Sequence, residues 1–177
     1  MSLEEILKVL LIAASPVAEL RLAIPLAINT FDFPWYYAFF LAIIGNMLPV
    51  PFILLFLEEA TRLLNKVAIF RKGLNWLFER TRRRGRIIER YKRIGLVLFV
   101  AIPLPVTGAW TGSLAAILFG LSLRYAFLSI LIGVFIAGVI VTCLTLLGWV
   151  GAVIAGVALC GLAIYSLWQA RDKYNRD

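Results

Sequence analysis

Glu19 and Arg21 are the only charged side chains in the middle of a long apolar stretch of this chain. At the centre of a bilayer a charge costs about 2.5–3.5 kcal/mol by insertion scales, so such residues tend to mark substrate pathways or proton relays. Arg21 has the chemistry to hold an anionic head group, with Glu19 as its counter-ion or as a proton carrier. The plainer alternative is an ion pair, within or between segments, that pins the fold. A second group lies in Pro103-Leu104-Pro105-Val106-Thr107-Gly108-Ala109-Trp110-Thr111-Gly112. Thr107 and Thr111 bring hydroxyls, Trp110 an amphipathic ring, and Gly108 a position where backbone amides can be left open to a ligand. The same glycines, Gly108 and Gly112, also fit a Gly-x-x-x-Gly packing contact. Asn46 is the third candidate. It precedes Pro49 and Pro51 and either lines a cavity or satisfies carbonyls that the prolines leave without donors.

The elements that must position these residues belong to a membrane. Of 177 residues, 62% are hydrophobic and 16% charged, and mean hydropathy is +0.93; soluble domains sit near half apolar and a quarter charged. No histidine is present, which excludes a His-ligated metal and a Ser-His nucleophile. We therefore expect no enzyme, no metal and no cofactor. Cys143 and Cys160 lie in apolar runs and read as packing residues. The run ending at Ala13-Ala14-Ser15 imitates a signal peptide, but Glu4 and Glu5 replace the usual basic cluster, so it is expected to stay on.

The apolar stretches are 6–31, 35–57, 94–123 and 125–168. The last, about 66 Å as helix, reads as two crossings, 125–147 and 148–168, with a turn at Gly148–Gly151. The stretch 35–57 reads as one crossing, entered through Pro34 and the anchors Trp35, Tyr36 and Tyr37, and interrupted near Gly45-Asn46. Stretches 6–31 and 94–123 carry breakers at mid-length: Pro16 and Pro25 in one, Pro103, Pro105, Gly108 and Gly112 in the other. Folded back, each gives arms of roughly 11 residues, about 17 Å, too short for a core of about 30 Å.

Charge distinguishes kinked crossings from re-entrant hairpins. Between Arg62 and Arg93 there are twelve Lys or Arg and two acids, Glu79 and Glu89, which the positive-inside rule places in the cytoplasm. Two re-entrant hairpins bring Arg124 and the tail residues Arg171, Lys173 and Arg176 to the same side. The expected fold is thus all-α: two opposed re-entrant hairpins and three transmembrane helices, in one domain spanning 1–177. The tail 169–177 and the basic loop face the cytoplasm of a prokaryotic-type membrane, with the N-terminus outside. Asp32 and Arg124 mark interfaces at the hairpin exits.

A faint repeat agrees. Sliding the chain by 89 residues pairs Pro16 with Pro105, Val17 with Val106, Ala27 with Ala116, Ile28 with Ile117 and Tyr36 with Tyr125. Nine of the 49 positions from Val9 to Leu57 are identical, where apolar composition alone gives roughly five. Hairpin plus crossing, repeated with opposite entry sides, is the inverted-repeat pattern of secondary transporters.

The segment 58–93 is expected to form a cytoplasmic amphipathic helix, because Leu63, Val67, Phe70, Leu74 and Leu77 recur at helical spacing among Lys and Arg. It should lie on anionic lipids, reinforced by Arg80, Arg82, Arg83, Arg84 and Arg86. A membrane surface is the partner this implies, not a nucleic acid. Gly148, Ala152, Gly156 and Cys160 make a small-residue stripe for helix packing.

Ser-Pro-Val-Ala-Glu-Leu-Arg-Leu-Ala-Ile-Pro (15–25), Gly-Asn-Met-Leu-Pro-Val-Pro (45–51) and the 103–112 motif resemble the "Putative small multi-drug export protein" family. Val106 departs from it, standing where the pattern has glycine. The wider arrangement is similar to the DedA (VTT-domain) superfamily, which implies opposed re-entrant hairpins and movement of lipid carriers. That resemblance implies an acid in the first hairpin, matched by Glu19, and arginines in the second, which are absent; Arg21 is the only candidate. The expectation is a small homo-oligomeric transporter, proton-coupled if coupled at all. Its substrate would be amphipathic, either a lipid-linked anion such as a polyprenyl phosphate or a drug-like compound. The rival is a non-transporting, membrane-organising or lipid-binding protein whose working surface is the basic helix.

Overall fold

A computed structural model of the chain describes residues 2–64, 85–103, 107–148, 150–154, 156–157 and 160–161. Among the described residues there are helices and turns and no strand. Seven helices carry the architecture: α1 (Leu3–Ala14), α2 (Glu19–Asn29), α3 (Trp35–Met47), α4 (Val50–Leu64), α5 (Gly85–Ala101), α6 (Ala109–Leu118) and α7 (Leu123–Leu146).

Local chemistry explains the boundaries. Ser2 and Glu5 start α1 as a reciprocal capping box, Ser2 N donating to Glu5 Oε2 at 2.7 Å and Glu5 N to Ser2 Oγ at 3.3 Å. Ser15 ends it: its hydroxyl donates to the Ile12 carbonyl at 2.9 Å and accepts from Ala18 N at 3.2 Å. Pro16 sits in the turn between α1 and α2, where its missing N–H does no harm. Pro49, in the break at Leu48–Pro49, separates α3 from α4.

The packing is that of a membrane protein, with small residues inside and large ones outside. Ala13, Ala23, Ala27, Ala38 and Ala42 are fully buried, so α1, α2 and α3 approach closely. At Gly45 a Cβ would lie 2.8 Å from both Ala13 Cβ and the Leu10 carbonyl oxygen, so only glycine fits against α1. On α7 the buried face runs through Ala126, Gly133, Ala137 and Gly138. Meanwhile Leu11, Phe52 and Phe56 are 70–74% exposed, among many other large apolar side chains. A soluble monomer does not display so much apolar surface. Among the described residues, two apolar helical stretches are long enough to cross a bilayer, Trp35–Phe56 with mean hydropathy 2.3 and Leu123–Leu146 with 2.8.

Two triads share one pattern of neighbours. Within α1–α2–α3 every pair packs together, and so does every pair within α5–α6–α7; the triads meet where α2 and α3 lie against α7, and α4 packs on α6.

Several expectations need correction. Pro25 does not break a helix: it lies inside α2, where it removes only the donor to the Arg21 carbonyl four residues back. Gly112 lies inside α6, and its role is close packing, since a Cβ there would meet Val100 Cγ2. Of the second stretch's breakers, Pro103 follows α5 and Gly108 precedes α6; Pro105 lies outside the described residues. The second hairpin does not begin at 94, because α5 already starts at Gly85. Likewise α4 runs on to Leu64, so both ends of segment 58–93 belong to α4 and α5. The middle of that segment, with Val67, Phe70, Leu74, Leu77, Arg80, Arg82, Arg83 and Arg84, lies outside the described residues; Arg86 falls on α5. Gly148 does not belong to a stripe on the last helix. It closes α7 at φ 57, and the close approach is made by Gly151, whose Cβ would collide with the Leu144 carbonyl. Described residues between 150 and 161 are helical; 162–168 and the tail 169–177 lie outside the described set.

Candidate functional site

The turn between α1 and α2 meets the turn between α5 and α6. Glu19, only 4% exposed, is the one buried charged side chain among the described residues. Its carboxylate faces the backbone amides of Ala109 and Trp110, which open α6. An anion at a helix N-terminus meets unpaired N–H groups and the positive end of the dipole. Gly108 makes the approach possible. A Cβ on it would sit inside the van der Waals envelope of Glu19 Oε2. Its φ of 145 and ψ of −161 also fall in a region that side chains other than glycine's hardly enter.

Glu19 is itself held at φ 50, a left-handed conformation that costs about 1–3 kcal/mol outside glycine. Strain kept at the single buried charge is the mark of a side chain that must point one way. Half-buried Arg21 crosses to the same turn: its Nη2 donates to Thr107 Oγ1 at 2.9 Å and to the Thr107 carbonyl oxygen. The Thr107 hydroxyl in turn donates to the Ile102 carbonyl at 2.8 Å, tying the turn to the end of α5. Trp110 returns the contact, its Nε1 donating to the Ala14 carbonyl at 3.1 Å.

Beside this polar cluster an open apolar groove of about 430 Å³ runs between α4 and α6, lined by Phe52, Ile53, Phe56, Trp110 and Leu114. Trp110 belongs to both. An amphipathic molecule therefore has a surface for its apolar part next to a charged tip.

Of the expected site residues, Glu19, Arg21, Thr107, Gly108 and Trp110 come together. Asn46 and Thr111 do not join them: the Asn46 side-chain amide and the Thr111 hydroxyl are buried without a hydrogen-bond partner. The sequence reading missed the Ala109 amide, the Ala14 carbonyl and the groove residues Phe52, Phe56 and Leu114. Backbone groups carry no residue signature, although Gly108 ahead of an apolar helix pointed to exposed amides there.

The family model described as "Putative small multi-drug export protein" matches residues 19–140. The chain belongs to that family. The matched segment starts at Glu19 and covers Arg21, the α3–α4 break and the whole second tip. No match was found among curated proteins or solved structures. With its two long apolar helical stretches, this member of the small multi-drug export family is a membrane protein.

Proposed function

We propose that the protein is a small transporter moving an amphipathic substrate across the bilayer at a site formed by the two tips. The observation that carries this is the meeting of Glu19 and Arg21 with the start of α6 beside an apolar groove. The family description points the same way, toward export.

The hairpins α1–α2 and α5–α6 are read as re-entrant from opposite faces. Helices α1, α2 and α6, of 12, 11 and 10 residues, are about 15–18 Å long and too short to cross a core of about 30 Å. Matching helix order in the two triads supports an inverted repeat. A sharper support comes from the shift of 89 residues, which pairs Glu19 with Gly108. Those two residues are in contact, as equivalent residues beside a two-fold axis between the repeats would be. Broken backbone of this kind is tolerated at membrane depth where protein buries it or water lines it. Cysteines placed singly at positions 8, 31, 94 and 124, in a background lacking Cys143 and Cys160, test the topology. Residues 8 and 31 should label from outside and 94 and 124 from inside; ends of one hairpin on opposite faces would sink the re-entrant reading.

Substrate class separates by charge. A lipid-linked anion makes Arg21 decisive, whereas a cationic drug makes Glu19 decisive and Arg21 dispensable. Reconstituted flux of labelled polyprenyl phosphate beside a cationic dye is the experiment. Transport of neither, by protein whose fold is verified, removes the transport reading.

A further inference from the structure

We propose that the break between α3 and α4 is a binding site for a small monovalent cation, centred on Asn46. The inference stands on this break and does not depend on the transport reading.

Asn46 is fully buried, and neither its Oδ1 nor its Nδ2 has a hydrogen-bond partner. Within a membrane-embedded core such a carboxamide is strongly penalised unless something pairs with it. The simplest satisfier is excluded. Pro49 and Pro51 have no N–H, so the carbonyls of Gly45 and Met47 lose their donors four residues on, and an asparagine between them is well placed to supply one. It does not, because Nδ2 donates to nothing.

What remains is a concentration of oxygen. Asn46 Oδ1 and the Gly45 and Met47 carbonyls belong to the last turn of α3. That turn is the negative end of the helix dipole. Unwound carbonyls and half-helix C-termini are the groups that take up small cations in broken membrane helices. Lipid is kept away on one side by α1, whose Leu10 carbonyl and Ala13 methyl press against Gly45. A cation with one water in its shell answers both ends of the amide: the ion takes the oxygens and the water accepts from Nδ2. Water alone would pair these atoms, but would draw nothing from the dipole.

The test is thermal unfolding of the purified full-length chain in lipid nanodiscs, in NaCl, KCl or choline chloride at constant ionic strength. A response to either alkali cation over choline, rising by about 5 °C near saturation, supports the site. Asn46→Leu, which fills the space with an apolar group, should fold and lose that response. Pro49→Ala restores an N–H for the Gly45 carbonyl and should raise the half-saturating concentration about tenfold, roughly one lost ligand. Equal melting in all three salts overturns the proposal and leaves a hydration site. So does an alkali-selective response that survives Asn46→Leu. Should Asn46→Leu not fold, Pro49→Ala decides: an unchanged response overturns the site, a weakened one supports it. Flux is not measured, so failure here leaves the transport reading untouched.

Discussion

At the first tip the chain presents two charged side chains, and at the second mainly backbone, with the Thr107 hydroxyl beside it. Glu19 and Arg21 extend from the start of α2, and what they meet is the Thr107 carbonyl and hydroxyl and the amides that open α6. The two turns occupy equivalent places in their triads, and both need positive φ: Glu19 at 50 and Gly108 at 145. One tolerates strain in order to aim a carboxylate. The other gives up its side chain so that the carboxylate can arrive. Two tips of one kind could not build this junction, because two buried carboxylates would repel and two bare helix ends would leave amides unpaired. Divergence at equivalent positions is therefore what makes the junction satisfiable.

Gly108 is where that division of labour should break most severely. Gly108→Ala places a methyl against the Glu19 carboxylate and forces alanine into a glycine-only region. Strain and overpacking together should cost about 2–6 kcal/mol. The measurement is yield and melting temperature of the reconstituted protein. A variant that melts like wild type would show that the carboxylate does not need the approach.

The next effect concerns the charges. Glu19→Gln keeps the shape, but a carboxamide accepts at only one end, so one of the two α6 amides faces a donor. The expected loss is about 1.5–3 kcal/mol, with Arg21→Gln of similar size through Thr107. Losses should add in the double variant if each charge acts on its own partners across the junction. Recovery in the double variant would instead mark a mutual ion pair. Flux measured beside melting separates scaffold from function: a stable double variant with wild-type flux would falsify the transport role of both residues.

Much of this junction was legible in the sequence. Charges within an apolar run singled out Glu19 and Arg21, and the 89-residue shift aligns the start of α2 with that of α6 and of α3 with that of α7. Ser15-Pro16, Pro49 and Pro103 sit where helices stop. The misreadings share a cause. Pro25 and Gly112 read as breaks in the sequence because residue type reports what a helix tolerates poorly, whereas tertiary packing decides what it tolerates. Illegible altogether was the partner of Glu19: backbone amides some 90 positions away have no side-chain signature, and only the glycine beside them leaves a trace.

Trp110 offers the smallest and most pointed test, because its bond runs the other way, from a second-tip side chain to a first-tip carbonyl. Trp110→Phe keeps an aromatic face on the groove with Phe52, Phe56 and Leu114 but removes the Nε1 donor to Ala14. The Ala14 carbonyl closes α1 beside the Ser15 turn, and other groups can partly serve it. The loss should therefore be about 0.5–1.5 kcal/mol, a shift of about 1–6 °C in melting temperature for a chain of this size. Because the groove wall is kept, affinity for an amphipathic probe such as a cationic dye should change little, while Trp110→Ala should weaken it severalfold. If Trp110→Phe destabilises as much as Glu19→Gln, the tips are held equally from both sides. The contrast between a side-chain tip and a backbone tip would then fail as an account of what joins them.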